Sequence, residues 1–106
     1  MNDGIINLDA PRGNAFGFTS DKFDGYLWKR GNEIWVSFIV SRQEDCGNLS
    51  KLFDSILSQG FAIKVPTPFP HMQAILEAKD FHPTVEIKDT VGPVRVWVKE
   101  KDVMRL

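Results

Sequence analysis

The chain has 106 residues, of which 42% are apolar and 25% are charged, and its formal net charge is −1. This length predicts a single domain over residues 1–106 with one hydrophobic core. The near-neutral charge provides no field to attract nucleic acid, and no apolar run approaches the roughly 18 residues of a membrane span. A single cysteine cannot form an internal disulfide, and one cysteine with two histidines disfavours a metal cluster. The sequence therefore indicates a metal-free cytoplasmic protein.

Residues 1–24 are expected to form an irregular N-terminal segment, ahead of a core at 25–99. Within this segment, residues 5–8 suit a short edge strand, and turn residues follow. Phe16 and Phe18 are apolar and alternate along the chain. We therefore expect both rings to close one end of the core.

A β-hairpin is predicted next. Two runs rich in aromatic and β-branched residues, 26–30 and Glu33–Ser41, are separated only by Gly31 and Asn32, a pair that suits a two-residue primed turn. Alternation places the apolar side chains of the second strand in two sets, with Ile34, Val36, Phe38 and Val40 on one face and Trp35 and Ile39 on the other. Because both faces are mostly apolar, this strand is expected to be central and covered on both sides.

A helix, a strand and a second helix follow. The first helix, 48–59, carries one apolar stripe, and Gly60 suits a left-handed stop at its C-terminus. The stripe consists of Leu49, Leu52, Phe53, Ile56 and Leu57. Residues 61–65 form a short strand, and residues 68–79 form a second helix whose buried face is Phe69, Met72, Ile75 and Leu76. The strand–helix–strand unit makes Glu33–Ser41 and 61–65 parallel neighbours.

Two further runs, 84–88 and 94–99, alternate apolar and polar residues, which predicts antiparallel strands half open to water. The sequence therefore predicts an α+β fold of mixed α/β character. It consists of a five- or six-stranded mixed sheet and two helices, in the order (β)-β-β-α-β-α-β-β.

This order of elements resembles the GNAT superfamily of acetyl-CoA-dependent N-acetyltransferases over residues 26–99. In that family a hairpin leads into a central strand, a loop of pattern Q/R-x-x-G-x-G/A, a helix, a parallel strand, a second helix and a closing strand pair. Residues 76–81, ending in Asp80 and Phe81, lie where the family has Tyr-x-x-x-Gly-Phe. The chain is therefore identified as a minimal and degenerate member with a GNAT-like fold.

The resemblance implies a cosubstrate and a binding site. Acetyl-CoA would donate its acetyl group to an amine acceptor that the sequence does not name. The central strand would splay from its parallel neighbour, and pantetheine would pair with its backbone at Phe38, Ile39 and Val40. The loop and the first helical N–H groups would hold the pyrophosphate. The residues concerned are Arg42, Gln43, Gly47, Asn48 and Leu49.

The loop can be placed on the family pattern in two ways. One places Gly47 on the first family glycine and Glu44 where Gln or Arg is expected, and the other places Arg42-x-x-Asp45-x-Gly47 on the pattern. Both put a carboxylate beside the phosphate site, where it repels an anion. The family tyrosine that often protonates the departing thiolate is replaced by Leu76, so no catalytic residue is assigned.

Two functions remain open from the sequence. The N-terminal region is too short for the two helices that build the amine-acceptor wall in the family. The chain is therefore either an acetyltransferase or a catalytically inactive GNAT-like fold that serves as a protein-interaction module. The second function predicts a protein partner or a homodimer, through a surface that includes Trp97 or through an unpaired sheet edge. Neither function predicts binding to nucleic acid or to a membrane.

Overall fold

The computed structural model describes residues 3–42, 47–66, 68, 70–88 and 92–100, which form an α+β fold with a six-stranded mixed sheet and three helices. The strands are β1 (Gly4–Ile6), β2 (Phe23–Arg30), β3 (Glu33–Ser41), β4 (Ala62–Pro66), β5 (His82–Lys88) and β6 (Gly92–Lys99). The helices are α1 (Pro11–Phe16), α2 (Asn48–Ser58) and α3 (Pro70–Ala78). The sheet order is β1-β2-β3-β4-β6-β5, and of the described strand pairs only β3 and β4 are parallel.

The predicted succession of elements from β2 to β6 is confirmed, and so are two of its local signals. Gly31, in the β2–β3 turn, has φ +61°, as the first central residue of a type II′ turn requires. At the end of α2, Gly60 has φ +94°, and its N–H donates to the carbonyl of Leu57 (3.0 Å). The N–H of Phe61 donates to the carbonyl of Ile56 (3.4 Å), which completes a Schellman motif.

The N-terminal segment 1–24 is more regular than predicted. Its short edge strand is present as β1, but Pro11–Phe16 forms a helix, which begins at a proline and ends at Gly17 with φ +83°. A helix of six residues is too short to display an apolar period, so the sequence pattern did not reveal it. The predicted burial of Phe16 and Phe18 is confirmed, because both belong to the main core.

The main core lies between the three helices and one face of the sheet, which we call the helix face. The apolar stripe predicted for α2 is fully buried there. The sheet side chains in this cluster are Ile6, Phe23, Leu27, Ile34, Val36, Ile63, Val65 and Trp97. The helices therefore all cover the same side of the sheet.

Helix α3 begins two residues later than predicted, at Pro70. Phe69, part of its predicted buried face, lies outside the described residues. Leu76 is fully buried, whereas Met72 and Ile75 are partly buried and pack against the core. The C-terminal half of α3 therefore fixes this helix to the core.

Strand β3 contains a β-bulge that the sequence pattern did not predict. On one side of the bulge Tyr26 pairs with Phe38, and on the other side Trp28 pairs with Trp35. Strand β3 thus has one residue more than β2 between these two pairs. An extra residue in one strand reverses the alternation of its side chains beyond the bulge.

The bulge overturns the predicted faces of β3. Phe38 and Val40 leave the face of Ile34 and Val36 and are 51% and 50% exposed, whereas Ile39 turns toward the helix face and packs against the core. The expectation that β3 is covered on both sides is therefore wrong for its C-terminal half. Alternation within β3 could not reveal this, because a bulge is defined by the pairing with β2.

Strands β5 and β6 are antiparallel as predicted, but β6 is closed to water on both faces over residues 96–98. Val96 and Val98 are buried against Trp35 on one face of the sheet, and Trp97 is buried on the helix face. On the edge strand β5 the apolar Ile87 is largely exposed instead. Burial of both faces of β6 removes Trp97 from the predicted interaction surface.

Candidate functional site

The parallel strands β3 and β4 pair over only three residues and then separate. Their last register partners are Trp35 and Lys64. Strand β4 ends at Pro66, whereas β3 continues through residues 36–41, roughly 20 Å of extended chain. Within the described residues, no part of β3 beyond Trp35 pairs with β4. Beyond Trp35, one edge of the β3 backbone therefore has no described partner on the β4 side, and we call the space along this edge the gap.

Phe38, Ile39 and Val40, predicted to bind pantetheine, lie along this gap on β3. Their other edge is held by β2, where Gly25 pairs with Ile39. Gly25 has φ +118°, and a Cβ at this position would lie 2.3 Å from the carbonyl oxygen of Phe38. The carboxylate of Asp24 also accepts the N–H of Gly25 (2.9 Å). Only glycine permits the backbone of β2 to lie this close to the Phe38 carbonyl. This contact fixes the position of Phe38, Ile39 and Val40.

The predicted loop residues lie only partly within the described chain. Arg42 follows β3, and its Nε donates to the carbonyl of Phe23 (3.1 Å), so this side chain joins the end of β3 to the start of β2. Gln43, a predicted phosphate ligand, and the nearby carboxylates Glu44 and Asp45 lie outside the described residues. The structure therefore places Arg42 at the end of the gap and leaves the loop's carboxylates unplaced.

Helix α2 begins after Gly47, which is its N-cap residue and has φ +73°. Among the described residues no side chain caps this helix start by hydrogen bonding. Nothing described lies within 4 Å of a Cβ built on Gly47, so glycine is needed there for its backbone conformation. The side chain of Leu49 is buried in the core. A ligand at the helix start could therefore contact only the backbone of Leu49. The first turn of α2 therefore carries the backbone N–H groups on which the predicted anion site depends.

The second face of the sheet, which we call the open face, carries a groove of about 510 Å³, a size typical of small-molecule sites. In the described part of the chain no helix packs on this face. The groove is lined by Ile5, Tyr26, Trp28, Arg30, Trp35, Ser37 and Pro66. Ser37 and Pro66 lie on β3 and β4 beyond their last pair, so the groove adjoins the gap.

A charged cluster closes the end of the gap where the strands still pair. The ammonium of Lys64 lies 2.7 Å from a carboxylate oxygen of Glu33 and 2.7 Å from one of Glu86. Burial lowers the pKa of Lys64, but hydrogen bonds to these two carboxylates outweigh it, so the pKa is raised. Lys64 therefore stays protonated at neutral pH and cannot act as a general base.

The Trp35 ring has two cations within cation–π distance in this cluster. The guanidinium carbon of Arg30 lies 5.5 Å from the ring centroid, and Nζ of Lys64 lies 5.3 Å from it. The indole N–H of Trp35 donates to Glu33 (3.2 Å). Arg30 makes no ion pair with a described residue, and the nearby Asp3 is paired with Lys29. Arg30 is therefore the one charged side chain that lines the groove and lacks an ion-pair partner in the described chain.

The sequence did not predict the groove residues, although one signal points to them. Tyr26, Trp28 and Arg30 occupy alternate positions of β2 and so share one face of the sheet. The right-handed crossovers place α2 and α3 on the other face. A sheet face with three large side chains and no helix assigned to it is a candidate binding surface.

The described residues contain no group of three His, Cys, Asp or Glu that could hold a metal ion, and none of their helices has the length and apolar character needed to cross a bilayer. Comparisons of the chain with protein-family models, with curated proteins and with solved structures give no match. The gap, the helix start and the groove are therefore the features of the molecule that bear on its function.

Proposed function

We propose that the chain is a GNAT-like acetyltransferase domain that binds acetyl-CoA in the gap between β3 and β4 and transfers the acetyl group to an amine. The observation that carries this proposal is the end of the described pairing between the two parallel strands after Trp35 and Lys64. The resemblance implies a central strand that splays from its parallel neighbour, followed by a helix. Strand β3, the gap and α2 supply that arrangement in the expected order.

The gap suits the pantetheine arm of coenzyme A. Pantetheine contains two amide groups, which can hydrogen-bond to a strand edge as another strand would. Phe38, Ile39 and Val40 have no strand partner on the β4 side among the described residues. Because Gly25 holds the opposite edge of this stretch, the backbone is positioned before the ligand arrives.

The start of α2 suits the pyrophosphate. The N–H groups of the first helical turn lack partners within a helix, and the helix dipole favours an anion at this end. Helix α2 begins at Asn48, directly after Gly47, and the backbone N–H of Leu49 belongs to its first turn. Phosphate binding here would place the adenosine end of the cofactor at the loop and its thioester toward Trp35.

Acetyl transfer in this site is a direct displacement. The amine nitrogen attacks the thioester carbonyl carbon, a C–N bond forms, the C–S bond breaks, and the amine proton passes to water as the thiolate departs. Leu76, at the position of the family tyrosine, is fully buried and has no proton to donate. Protonation of the thiolate is thus left to water, and we expect slow turnover.

The interaction-module function is favoured by a different observation. The open face exposes several large apolar side chains without a covering helix in the described chain. They are Ile5, Tyr26, Trp28, Phe38 and Val40. A protein partner or a second copy of the chain would bind there, since contiguous exposed apolar surface marks interaction sites.

Calorimetric titration with acetyl-CoA distinguishes these functions, with Gly47→Val and Gly60→Val as a matched pair. Both glycines flank α2, both have positive φ, and neither has a described atom within 4 Å of a built Cβ. The two substitutions therefore introduce comparable backbone strain, but only Gly47 adjoins the phosphate site. The acetyltransferase proposal expects acetyl-CoA affinity to fall much further in Gly47→Val than in Gly60→Val.

Two charge changes complete this test. Glu44→Gln and Asp45→Asn are expected to strengthen acetyl-CoA binding, because each removes a negative charge near the phosphates. The interaction-module function expects affinity to stay flat across the set. Absence of heat and of a thermal shift at millimolar acetyl-CoA would overturn the acetyltransferase proposal, since a ligand that binds the native state must stabilise it.

A further inference from the structure

We propose that the groove on the open face is the acceptor site and that its acceptor is an arylamine that carries a carboxylate. This inference rests on the proposed function, because the acetyl group must arrive from the adjoining gap. Ser37 and Pro66 line the groove and lie on the two strands that border the gap. An acceptor in the groove would therefore meet the thioester at this border.

The walls of the groove indicate a flat apolar ligand. Tyr26, Trp28 and Trp35 contribute three aromatic rings to a volume of about 510 Å³. Aromatic pairs gain energy from stacked or edge-to-face contact beyond their buried area. A volume of this size and this lining suit a ligand with one or two rings.

The charge of the groove indicates an acid. Arg30 is the one charged residue of the lining, and among the described residues it has no ion-pair partner. A guanidinium binds a carboxylate through two parallel hydrogen bonds. Asp3 interacts electrostatically with Arg30 but forms its ion pair with Lys29.

The same charges disfavour a cationic acceptor such as a polyamine or a lysine side chain. No carboxylate lines the groove within the described chain, and Glu33, close by, is paired with Lys64. The Trp35 ring already has Arg30 and Lys64 within cation–π distance. A further ammonium group would therefore meet like charge without a counter-ion.

An arylamine also needs no free general base near the gap, where Glu33 and Glu86 are both paired with Lys64. Its nitrogen lone pair is delocalised into the ring, so it is unprotonated at neutral pH and can attack without prior loss of a proton. The attack forms the C–N bond, the C–S bond breaks, and the surplus amine proton passes to water. Lys64, at the closed end of the gap, is held protonated by Glu33 and Glu86.

The distance between Arg30, which would bind the carboxylate, and the border of the gap, where the amine would react, fits a ligand with one benzene ring. The Arg30 guanidinium carbon lies 5.5 Å from the centroid of the Trp35 ring, and Ser37 lies two residues further along β3, within the bulge and at most about 7 Å away along the chain. A carboxylate at Arg30 and an amine in the para position would span Trp35. The amine would then lie near Ser37 at the border of the gap.

Tryptophan fluorescence titrations of the whole chain test this assignment with three probes: 4-aminobenzoate, aniline and spermidine. We expect 4-aminobenzoate to bind most tightly, and Arg30→Gln to weaken it roughly tenfold or more, as the loss of a hydrogen bond to a charged group does. Aniline, which lacks the carboxylate, should not respond to Arg30→Gln. Arg95→Gln removes an equal charge from an exposed site on β6 and should leave all three affinities unchanged.

The assignment is overturned if aniline binds as tightly as 4-aminobenzoate, if spermidine binds most tightly, or if Arg30→Gln and Arg95→Gln act alike. Its failure is distinguishable from failure of the proposed function by a separate acetyl-CoA titration. Binding of acetyl-CoA without 4-aminobenzoate refutes only the acceptor. Binding of 4-aminobenzoate without acetyl-CoA refutes transfer. With both bound, release of free thiol together with N-acetyl-4-aminobenzoate is the supporting result.

Discussion

Trp35 and Lys64 are register partners at the point where β3 and β4 stop pairing, and Nζ of Lys64 lies 5.3 Å from the centroid of the Trp35 ring. The same ammonium lies 2.7 Å from oxygens of Glu33 and Glu86. Three strands, β3, β4 and β5, are thereby joined across the open face. The cluster fixes the closed end of the gap and covers the buried part of β6 beside it.

Replacing Lys64 with Met is expected to lower the free energy of unfolding by about 1–3 kcal/mol, because two carboxylates lose their shared cation and Glu86 keeps a buried oxygen without a described partner. Lys79→Met is the control. It removes a pair with Asp54, whose side chain is 62% exposed, and should cost less than about 1 kcal/mol. Urea unfolding at pH 7 measures both, and equal losses would contradict the role assigned to Lys64.

Gly25→Ala is expected to destabilise the protein by more than about 2 kcal/mol, because φ is +118° and the new Cβ would overlap the Phe38 carbonyl oxygen. Gly31→Ala is the matched variant, since Gly31 also has positive φ but open space around a Cβ. Gly31→Ala should lower the free energy of unfolding by only about 1 kcal/mol, the cost of placing alanine at positive φ. Thermal and urea unfolding compare the two. A Gly25→Ala protein as stable as Gly31→Ala contradicts the close approach of β2 to β3.

Asp80→Gly is expected to raise stability by about 0.5–1 kcal/mol. Asp80 has φ +65° at the end of α3, where the next N–H, that of Phe81, donates to the carbonyl of Leu76 (2.9 Å). Glycine adopts this left-handed conformation without the steric cost that a Cβ brings. Asp21→Gly, at an exposed turn position with ordinary φ, should give no gain. An unchanged or lower melting temperature for Asp80→Gly would refute this account of the helix end.

Asp9 should make the stability depend on pH in the acid range. Hydrogen bonds from the hydroxyl and the N–H of Ser20 hold the pKa of Asp9 below its ordinary value of 3.8. The folded state thus favours the ionised carboxylate. Its contribution is present above pH 3.8 and is lost as the pH falls through the folded pKa. The stability difference between the natural chain and Asp9→Asn should therefore shrink as the pH is lowered from 6 toward 3.

Ser20→Ala checks the cause of this dependence, because it removes the hydroxyl donor and leaves the backbone donor in place. We expect a partial loss of the acid-range slope in Ser20→Ala and a fuller loss in Asp9→Asn. Unfolding midpoints in urea, measured at several pH values, provide the comparison. Identical slopes in all three proteins would show that another group carries the dependence.

The parts of the fold that the sequence predicted are those with a local physical signal. The stripe from Leu49 to Leu57 repeats at helical spacing, and Gly60 ends α2 as its freedom at positive φ allows. The Gly31 turn likewise depends on its own residue type. Helix α1 carries too few residues for such a signal, and it was missed.

The candidate site was harder to predict because it depends on pairing between strands. The bulge in β3 is visible only when Tyr26 and Trp28 are matched to their partners, and it decides that Phe38 is exposed. The groove depends further on which sheet face the helices leave uncovered. The gap was expected only through the family resemblance, because nothing in the residues after Trp35 marks the end of parallel pairing.

The central claim is that acetyl-CoA binds along β3 in the gap beyond Trp35. Residue-resolved amide hydrogen exchange, with and without saturating acetyl-CoA, tests it most directly. We expect slower exchange at the gap-facing amides among Phe38, Ile39 and Val40 and at Asn48, with no change in the edge strand β5. Protection confined to β5, or no protection anywhere at millimolar acetyl-CoA, would contradict the claim.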